Sequence, residues 1–481
     1  MLATLSHEIR TPLNGVLGMA ALLGGTELDA TQRAYLAALR DSGEHLLGLV
    51  GDVLDYARLD AGRLELEAAD VDPERLLQQV AELLSPRAHA AGLEIAAALD
   101  PEAPPPQIIA DDGRLRQVLF NLAGNAVKLT RRGGVRLLAS TAPAADPAKV
   151  RVRFTVRDTG PGLSAEAQAR VFEEFEQAEA GAAAGGAGLG LAIARRIAGA
   201  FGGRLGVDSR EGEGAAFWLE ADFPRADATP RPLAAALAGQ AVALVTPSDV
   251  LAEAADALVR LCGGRLTRDP QAPGVSAVLV DAAGREPPPP PGPRAFVLLS
   301  PEERERIEPA RRAGYAGWLI KPLRRASLAE RLSGVAAPRR SRAAPEDERA
   351  HPPAATHGLR VLLAEDNAVN ALLARAMLQR EGCQVDRAGS GEEALAACER
   401  GAYDLVLMDL RMPGLDGLET ARRLRARGDR TPVAALTANA FAEDRRAALA
   451  AGMDDFLVKP LDAGALRAVL ARWGGARRAA A

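Results

Sequence analysis

The sequence predicts a chain of four domains: a pair of amphipathic helices, an α/β sandwich, and two α/β domains in which strands and helices alternate. Three observations predict this order. Apolar residues recur three and four positions apart through the first 60 residues. Strand-like runs such as VRVRFTVRD and AAFWLEADF mix with helical runs from about 65 to 224. Two later stretches alternate short apolar strands with helices, as successive βα units do.

The first element is a predicted helical hairpin at residues 1–64. Its two apolar stripes run through residues 2–23 and 31–60, and the sequence GGT at 24–26 is expected to make the turn. Two such helices bury too little apolar surface to be stable alone, so we expect a homodimer that forms a four-helix bundle. His7 lies off the apolar stripe and is expected to face solvent, with a kink at Pro12 just after it.

Composition sets the remaining boundaries. We expect the sandwich at 65–224, a linker at 225–237, the first alternating domain at 238–335, a charged and proline-rich linker at 336–357, and the second alternating domain at 358–475.

The bulk composition excludes several classes of protein. A net charge of −4 without a basic stripe argues against a nucleic-acid partner. No apolar run approaches the roughly 18 residues of a membrane-spanning helix. The three cysteines are spaced for neither a disulfide framework nor a zinc site, which favours a cytoplasmic location. Only four of the 59 Lys and Arg residues are lysines, and three of these four (Lys128, Lys321 and Lys459) fall inside motifs.

The sandwich contains a helix with polar residues at helical spacing. The run RLRQVLFNLAGNAVKLT (114–130) places Asn121 and Asn125 on one face, with Lys128 one turn further on. Amide oxygens on one face can serve a Mg²⁺ ion, and a lysine can meet phosphate oxygens. This helix therefore predicts part of a phosphate-binding site.

Three further segments of the sandwich support the same site. VRDTGPGL (156–163) ends a strand at Asp158 and continues through Gly160 and Gly162, which permit a close backbone approach. FEEFEQAE (172–179) is aromatic and acidic. GGAGLGLAIARRIA (185–198) leads from a glycine-rich loop into a helix whose N-terminal N–H groups suit phosphate.

The last domain carries acidic and basic residues at the ends of its predicted strands. Glu365 and Asp366 follow one strand and Asp409 ends another, while Thr437 and Lys459 follow two more. Carboxylates at adjacent strand ends repel one another unless a divalent cation bridges them, so this cluster implies Mg²⁺.

These segments carry a family resemblance. SHEIRTPLN (6–14), followed by the four sandwich segments, resembles the H, N, G1, F and G2 boxes of bacterial sensor histidine kinases, and the later domains make the chain resemble a hybrid histidine kinase. The resemblance implies an ATP-binding sandwich of the GHKL type and two flavodoxin-like receiver domains. It also implies that His7 is the phosphoacceptor, that Glu8 is its acid/base neighbour, and that Thr11 helps to position water for dephosphorylation.

The resemblance also implies roles for the remaining site residues. Asn125 would be the main Mg²⁺ ligand, with Asn121 beside it and Lys128 on the phosphate of ATP, while Asp158 would take the adenine amino group. The glycines that would shape the pocket and lid are Gly160, Gly162, Gly186, Gly188 and Gly190. In the last domain, Asp409 would accept the phosphoryl group, and Thr437 and Lys459 would contact it.

The first alternating domain departs from the receiver pattern. Thr246 and Pro247 stand where the acidic pair belongs, although Asp281, Ser300 and Lys321 are kept. The run REPPPPPGPR replaces a helix, because consecutive prolines cannot be helical. We therefore expect a degenerate receiver with a structural or docking role. A weaker alternative is Mg²⁺ held through the Asp249 carboxylate.

The expected function is autophosphorylation of His7 in a homodimer, followed by transfer to Asp409. The expected partners are a separate histidine phosphotransfer protein and a downstream response regulator. One alternative is a regulator that mainly drains phosphate through Thr11 and Asp409. Another is an ATP-hydrolysing conformational machine of the gyrase/Hsp90 type.

The beginning of the chain raises a separate hypothesis. The segment LATLS ahead of His7 resembles the interior of the family's helix, and a helix that began there would leave His7 near a fraying end. We therefore hypothesise that the chain is a fragment or has a misassigned start, with the rest of the helix and a sensor upstream of Met1. A membrane tether through that region is then the alternative to a purely cytoplasmic location. An in-frame stop codon just before Met1 would refute this hypothesis.

Overall fold

The computed structural model describes residues 66–173, 189–226, 235–290, 294–333, 358–437, 442–459, 461 and 463–473, together with part of the N-terminal region (13, 15–20, 23, 24, 26, 28, 29, 31–33, 35, 36, 39, 43 and 46). The chain divides into two compact units, of which one comprises 1–51 with 350–481 and the other comprises 52–349. None of the helices in the described part of the chain is both long and apolar enough to cross a bilayer.

The N-terminal region is helical on both sides of a turn. Residues 15–20 and 31–33 are helical, and the backbone N–H of Gly24 and Thr26 donate to Ala20 and Leu23 between them. A Cβ placed on Gly43 would lie 2.6 Å from Cδ2 of Leu17, so the two helical segments approach closely at this glycine. This arrangement agrees with the predicted hairpin.

The sandwich domain (66–226) combines a five-stranded sheet with helices that share its apolar core. The sheet has the order β2-β4-β5-β7-β6, in which β2 pairs with β4 in parallel and the other neighbours are antiparallel, while β1 and β3 form a separate pair. The elements are β1 (Ala69–Val71), α1 (Pro73–Ala90), β2 (Glu94–Leu99), β3 (Ile108–Ala110), α2 (Asp112–Leu129), β4 (Gly134–Ala142), β5 (Lys149–Asp158), α3 (Ala165–Arg170), α4 (Gly190–Ala200), β6 (Arg204–Ser209) and β7 (Ala215–Pro224).

Two of these elements follow directly from their sequence pattern. Every second residue of β5 is buried, and this inward series runs from Val150 through Phe154 to Asp158. The carboxylate at the end of the strand therefore lies on the same side as the core. Helix α2 begins at the N-cap Asp111, whose carboxylate accepts from the backbone N–H of Arg114.

The middle domain (235–333) contains a fully parallel five-stranded sheet of order β9-β8-β10-β11-β12. Its elements are β8 (Ala241–Val245), α5 (Asp249–Leu261), β9 (Arg265–Thr267), β10 (Val275–Asp281), β11 (Ala295–Leu299), a 3₁₀ helix (Pro301–Arg306), α6 (Ile307–Arg312), β12 (Gly317–Ile320) and α7 (Arg325–Ser333). No helix occupies 268–274 or 282–290, both of which are described, as the short crossover and the proline run predict.

The C-terminal domain (358–473) contains a second parallel sheet, of order β14-β13-β15-β16-β17. Its elements are β13 (Arg360–Ala364), α8 (Ala368–Arg380), β14 (Gln384–Ala388), α9 (Gly391–Arg400), β15 (Leu405–Asp409), α10 (Gly417–Ala426), β16 (Val433–Thr437), α11 (Ala442–Ala450), β17 (Asp455–Val458) and α12 (Ala463–Trp473). In both parallel sheets the first strand lies between the second and the third, so ligands are expected at the carboxyl ends of the first and third strands.

Candidate functional site

The first candidate site lies where β5 ends at Asp158. This carboxylate is buried, and its Oδ1 accepts from the backbone N–H of Gly160 at 2.8 Å and of Ala215 at 3.3 Å. Burial raises the pKa of Asp158, and the two backbone hydrogen bonds oppose that shift. Since both of these donors reach Oδ1, Oδ2 is available to a ligand.

Thr130, at the end of α2, completes this corner. Its hydroxyl is buried and finds no hydrogen-bond partner in the described part of the chain. A Cβ on Gly160 would lie 2.8 Å from Oδ1 of Asp158 and 3.3 Å from Oγ1 of Thr130, so these groups converge on the glycine. An unpaired hydroxyl beside a carboxylate fits a planar ligand that offers both an amino group and a ring nitrogen.

Two glycines around the corner are required by the backbone. Gly162 has a φ of +70°, and a Cβ there would lie 1.9 Å from the carbonyl oxygen of Arg210. Gly214 has a φ of +84°, and its Cβ would lie 2.1 Å from the carbonyl oxygen of Asp158. Thr130, Gly214 and Ala215 were not predicted. In the sequence, Thr130 is only the last residue of the helix motif and Gly214 is only a glycine before a strand. Both features are common in any sequence and do not indicate a site.

The predicted polar face of α2 is present. Asn121 donates from Nδ2 to the carbonyl oxygen of Gly190 at 3.1 Å, which joins α2 to the first residue of α4. Asn125 is partly exposed and Lys128 is exposed on the same helix. Partial burial and the nearby Arg87 guanidinium lower the pKa of Lys128. The face therefore presents amide and ammonium groups, as a polyphosphate requires.

The second candidate site lies at the carboxyl ends of β13 and β15. Oxygen atoms of Glu365, Asp366 and Asp409 all lie within 4.8 Å of one another. The Nζ of Lys459 lies 2.5 Å from Oδ2 of Asp409 and also pairs with Glu365. Thr437 ends β16 beside them, and its carbonyl oxygen accepts from the backbone N–H of Lys459 at 2.7 Å. All five predicted residues therefore lie at one edge of one sheet.

The chemistry of this cluster suits a hard divalent cation. Burial raises the pKa of Glu365, and the Lys459 ammonium opposes the shift. Glu365 also accepts from Nδ2 of Asn370 at 2.9 Å, a contact that the sequence did not reveal. A Cβ on Gly417 would lie 2.1 Å from the carbonyl oxygen of Asp409, so this turn requires glycine. Three convergent carboxylates beside one lysine provide the oxygen ligands that Mg²⁺ prefers.

The middle domain has a different arrangement at the same place. Oδ2 of Asp281 accepts from the Thr246 hydroxyl at 2.7 Å, and Oδ1 accepts from Nζ of Lys321 at 3.1 Å. The Lys321 ammonium also lies 2.8 Å from Oε2 of Glu94, which belongs to β2 of the sandwich domain. The second carboxylate on this lysine is therefore supplied by the neighbouring domain.

The strand register confirms one part of the middle-domain prediction and corrects another. Val245 pairs with Val280 as Ala364 pairs with Met408, which puts Thr246 at the position of Glu365, as predicted. The prediction that Ser300 matches Thr437 was wrong by one residue. Leu299 pairs with Ile320 as Thr437 pairs with Val458, so an apolar side chain takes that position. Ser300 instead begins the 3₁₀ helix, where its N–H donates to Glu303 at 2.8 Å.

The Asp249 carboxylate, the alternative metal ligand of the middle domain, has an arginine as its partner. The Asp249 side chain is 86% exposed and pairs with Nη2 of Arg268 at 2.7 Å. Within the described residues, the carboxylates grouped closely enough to share a cation are those of Glu365, Asp366 and Asp409. The Asp249 carboxylate is therefore neutralised by an arginine.

Several predicted site residues lie outside the described residues. They are His7, Glu8 and Thr11 in the N-terminal region and Gly186 and Gly188 in the glycine-rich loop. Their roles remain predictions from the sequence.

Three domain families match the chain in order. Residues 1–62 match the His Kinase A (phospho-acceptor) domain. Residues 110–225 match the histidine kinase-, DNA gyrase B-, and HSP90-like ATPase family. Residues 361–471 match the response regulator receiver domain.

Individual proteins match nearly the whole chain. The sensor histidine kinase GacS of Pseudomonas protegens is 33% identical over 98% of this chain, and the match covers 54% of GacS. The signal transduction histidine-protein kinase BarA of Escherichia coli K12 is 30% identical over 98% of this chain, and the match covers 53% of BarA. The chain thus spans about half the length of these curated relatives.

A solved structure agrees with these matches. The crystal structure of full-length ShkA in complex with AMPPNP is 53% identical in sequence and superposes with a TM-score of 0.62, covering 98% of this chain and 99% of the ShkA chain. A phospho-acceptor domain, an ATPase domain and a receiver domain in one chain are the architecture of the hybrid sensor histidine kinases. The chain therefore belongs to this family.

Proposed function

We propose that this chain uses ATP to phosphorylate its own His7 and then passes the phosphoryl group to Asp409. The observation that carries the proposal is the convergence of Asp366, Asp409 and Glu365 on one cation position beside Lys459. This acceptor site stands in a chain that also matches phospho-acceptor and ATPase families. The relative ShkA was crystallised with AMPPNP, which supports a nucleotide site in the matching domain here.

In the sandwich domain, Asp158 accepts a hydrogen bond from the adenine amino group, and the unpaired hydroxyl of Thr130 bonds a ring nitrogen. The buried carboxylate and the orphaned hydroxyl fit that pattern. Asn125 and Asn121 hold Mg²⁺ through their amide oxygens, and Lys128 contacts phosphate oxygens. Bound Mg²⁺ neutralises phosphate charge, which phosphoryl transfer requires.

The glycines of the site have separate roles. Gly160 and Gly162 admit the nucleotide where side chains would collide with Asp158 and with the Arg210 carbonyl. Gly190 begins α4 and is tied to Asn121. Gly186 and Gly188 complete the lid over the phosphates in this proposal.

The group transfer proceeds in two balanced steps. An imidazole nitrogen of His7 forms a bond to the γ-phosphorus while the bond from that phosphorus to its bridging oxygen breaks, and ADP leaves. Glu8 accepts the proton that the imidazole releases. A carboxylate oxygen of Asp409 then bonds to the phosphorus, the N–P bond breaks, and His7 recovers its proton.

At the acceptor, Glu365, Asp366 and Asp409 hold Mg²⁺. Lys459 and Thr437 contact the oxygens of the phosphoryl group on Asp409. Thr11 helps to position water when phosphate is removed from His7. The charge of the product supports this arrangement, because the dianionic phosphoryl group on Asp409 is stabilised by a divalent cation and an ammonium group within contact distance.

The remaining parts of the proposal concern assembly. The hairpin forms a homodimer, and the middle domain is a degenerate receiver, since Thr246 and Pro247 replace its acidic pair. A separate histidine phosphotransfer protein and a response regulator take the phosphoryl group onward. The cytoplasm suits these reactions, and the three cysteines, all described, form no disulfide.

Radiolabelled ATP tests the proposal. His7→Gln should abolish the acid-labile label, whereas His45→Gln, a second histidine of the predicted hairpin, should retain it. Asp409→Ala should let phosphohistidine accumulate because its acceptor is lost. Full labelling of His7→Gln would contradict the assignment. A wild-type chain that gains no label, yet removes phosphate from a phosphorylated partner, would favour the alternative of a phosphate drain.

A further inference from the structure

One edge of the sandwich sheet is covered by the middle domain. Strand β2 is the edge strand, yet all six of its residues are buried. Helix α5 of the middle domain packs against it, and Ala98 shares an apolar cluster with Leu251 and Leu258 of that helix. The small residues at 96–98 allow this close approach. The helix protects a strand edge that would otherwise be open to pairing with another chain.

The buried lysine of the middle domain lies at one end of this interface. Lys321 is 6% exposed, and its ammonium bridges Oε2 of Glu94 at 2.8 Å and Oδ1 of Asp281 at 3.1 Å. Oε1 of Glu94 has no hydrogen-bond partner among the described residues. Burial raises the pKa of Glu94, and Lys321 opposes the shift. The lysine therefore balances two buried carboxylates that have no other cation within contact in the described structure.

Glu94 is connected to the turn between α2 and β4. Its backbone N–H donates to the carbonyl oxygen of Gly133 at 3.0 Å, and its register partner is Gly134. A Cβ on Gly134 would lie 2.1 Å from the carbonyl oxygen of Glu94. The turn is therefore pressed against the first residue of β2, and a shift of Glu94 must move the turn.

The same turn holds the residue beside Asp158. The backbone N–H of Gly134 donates to Oγ1 of Thr159 at 3.0 Å, and that hydroxyl donates to the carbonyl oxygen of Arg132 at 2.7 Å. Thr159 directly follows Asp158, and its N–H donates back to Gly134 at 3.2 Å. Thr130, whose hydroxyl has no hydrogen-bond partner among the described residues, is the first residue of this turn. Thr130 is therefore part of the turn that Glu94 contacts, and Asp158 directly precedes the residue that is bonded to it.

We infer that Lys321 is a positioning residue for the nucleotide site of the neighbouring domain and acts through Glu94. The inference rests on the proposed function, because it takes Asp158 and Thr130 as the groups that hold adenine. The middle domain, which has lost its own acidic pair, thus contributes one ammonium group to the order of the ATP pocket. By linkage, a nucleotide that orders the turn also tightens the contact between the two domains.

Removal of the ammonium group has a defined consequence. Without Lys321, Glu94 and Asp281 face each other as buried carboxylates, and Glu94 must protonate or move away. Either change alters the first residue of β2 and loosens the turn that ends at Gly134. The Asp158 and Thr130 contacts to adenine are then displaced, whereas the residues that transfer the phosphoryl group keep their positions. Affinity for nucleotide therefore falls more than the rate at saturation.

Calorimetric titration of the full chain with ADP tests the inference. Lys321→Met should raise the dissociation constant about fivefold. The apparent KM for ATP in autophosphorylation should rise by a similar factor, with the rate at saturating ATP unchanged. Lys321→Arg should restore part of the affinity. The double variant Glu94→Gln with Lys321→Met removes the unpaired charge and should bind ADP more tightly than Lys321→Met alone.

Arg325→Met provides a matched control. Arg325 is 9% exposed and pairs with Glu74 at 2.8 Å across the same interface, but Glu74 lies in α1 rather than beside the turn. This variant should lower the thermal midpoint while the dissociation constant for ADP stays within about twofold of wild type. Equal weakening of ADP binding by both single variants would overturn the role of Lys321, as would an unchanged affinity in Lys321→Met.

Failure of the proposed function gives a different result. Wild type that does not bind ADP, or ADP binding that survives in Asp158→Asn, would show that the pocket itself is misassigned, and the inference would be overturned with it. Loss of binding in Asp158→Asn, together with unchanged binding in Lys321→Met, would overturn the inference alone.

Discussion

Glu94 of the sandwich domain holds the Lys321 ammonium of the middle domain at 2.8 Å, in the relation that Glu365 has to Lys459 inside the C-terminal domain. The strand register places Thr246 where an intact site has its own glutamate. The lysine of the middle domain thus pairs with a carboxylate of the sandwich domain, where the lysine of the C-terminal domain pairs with a carboxylate of its own domain.

This relationship predicts that Asp281 is not phosphorylated. Its Oδ2 accepts from the Thr246 hydroxyl, which stands at the position of Glu365, and the one group of three carboxylates within 4.8 Å of one another in the described residues lies in the C-terminal domain. Asp281 therefore lacks the neighbouring carboxylates that would hold Mg²⁺ beside an acceptor. With radiolabelled acetyl phosphate and Mg²⁺, Asp409→Asn should lose more than about nine-tenths of the label. Asp281→Asn should keep it. Label that persists in Asp409→Asn and disappears only in the double variant would contradict this assignment.

The glycine at 162 should tolerate no side chain. Its φ of +70° and the 1.9 Å approach of the Arg210 carbonyl to a Cβ make Gly162→Ala strained, and we expect a loss of about 2–3 kcal/mol of unfolding free energy. Gly199→Ala is the matched control, since it lies in α4 with nothing within 4 Å, and it should gain about 0.5–1 kcal/mol. Denaturant titration measures both; equal stabilities for the two variants would be inconsistent with the strained geometry.

The ionised Asp158 carboxylate should lower the free energy of unfolding, although it supports the binding of nucleotide. Because burial raises its pKa above the ordinary 3.8, the folded chain binds more protons than the unfolded chain between the two pKa values, and unfolding free energy falls as pH rises through that window. At neutral pH, Asp158→Asn should therefore raise the thermal midpoint by about 2 °C and abolish ADP binding.

Asp222→Asn should shift the thermal midpoint in the opposite direction to Asp158→Asn. The Arg151 guanidinium beside Asp222 holds the pKa of that carboxyl below its usual range, so the ionised form favours the folded state at neutral pH. The pair is partly exposed, and its loss should lower the thermal midpoint by only about 1 °C, with ADP binding retained. A lower midpoint in Asp158→Asn would contradict the sign derived for the buried carboxylate.

Local patterns in the sequence predicted much of the two sites. Alternation along β5 places Asp158 on the inward series, and helical spacing places Asn121 and Asn125 on one face. The carboxylates of the last domain lie together because all three stand at, or within two residues of, the carboxyl end of a buried parallel strand. In each case the period of a single element sets the direction of the side chain.

The parts that were missed depend on distant or finely registered pairs. Glu94 is one acidic residue at the start of an apolar strand, and its partner Lys321 comes 227 residues later, so no local pattern could join them. Leu299 and Ser300 are neighbours at the end of β11. The pairing of Leu299 with Ile320 shows that Leu299, and not Ser300, matches Thr437. Thr130 stands out only because burial leaves its hydroxyl without a partner in the described structure.

His89 should make the unit formed by the sandwich and middle domains sensitive to acid. Burial and the Lys321 ammonium lower its pKa below the ordinary 6.5, whereas Glu302 and Glu303 oppose the shift. Below about pH 6.5 the unfolded chain therefore binds a proton at His89 that the folded chain does not yet bind. The free energy of unfolding falls as the pH is lowered through this window.

Thermal midpoints at pH 7.5 and 5.5 test this expectation. The decrease should be smaller in His89→Phe than in wild type, because the substituted ring does not titrate. Asp256→Asn, a change in a partly exposed surface carboxylate, should leave the wild-type decrease in place. The same decrease in His89→Phe as in wild type would assign the acid sensitivity to other groups.

Asp366 should be the ligand of the acidic cluster that can be changed without harm to the fold. It is exposed, whereas Glu365 and Asp409 are buried and bonded to Lys459. In calorimetric titration without nucleotide, Asp366→Asn should weaken Mg²⁺ binding about tenfold, because one anionic oxygen is lost, with an unchanged thermal midpoint in the metal-free protein. Glu399→Gln, which breaks only a surface pair with Arg427, should bind Mg²⁺ like wild type. Equal Mg²⁺ affinity in both variants would mean that Asp366 does not contact the ion.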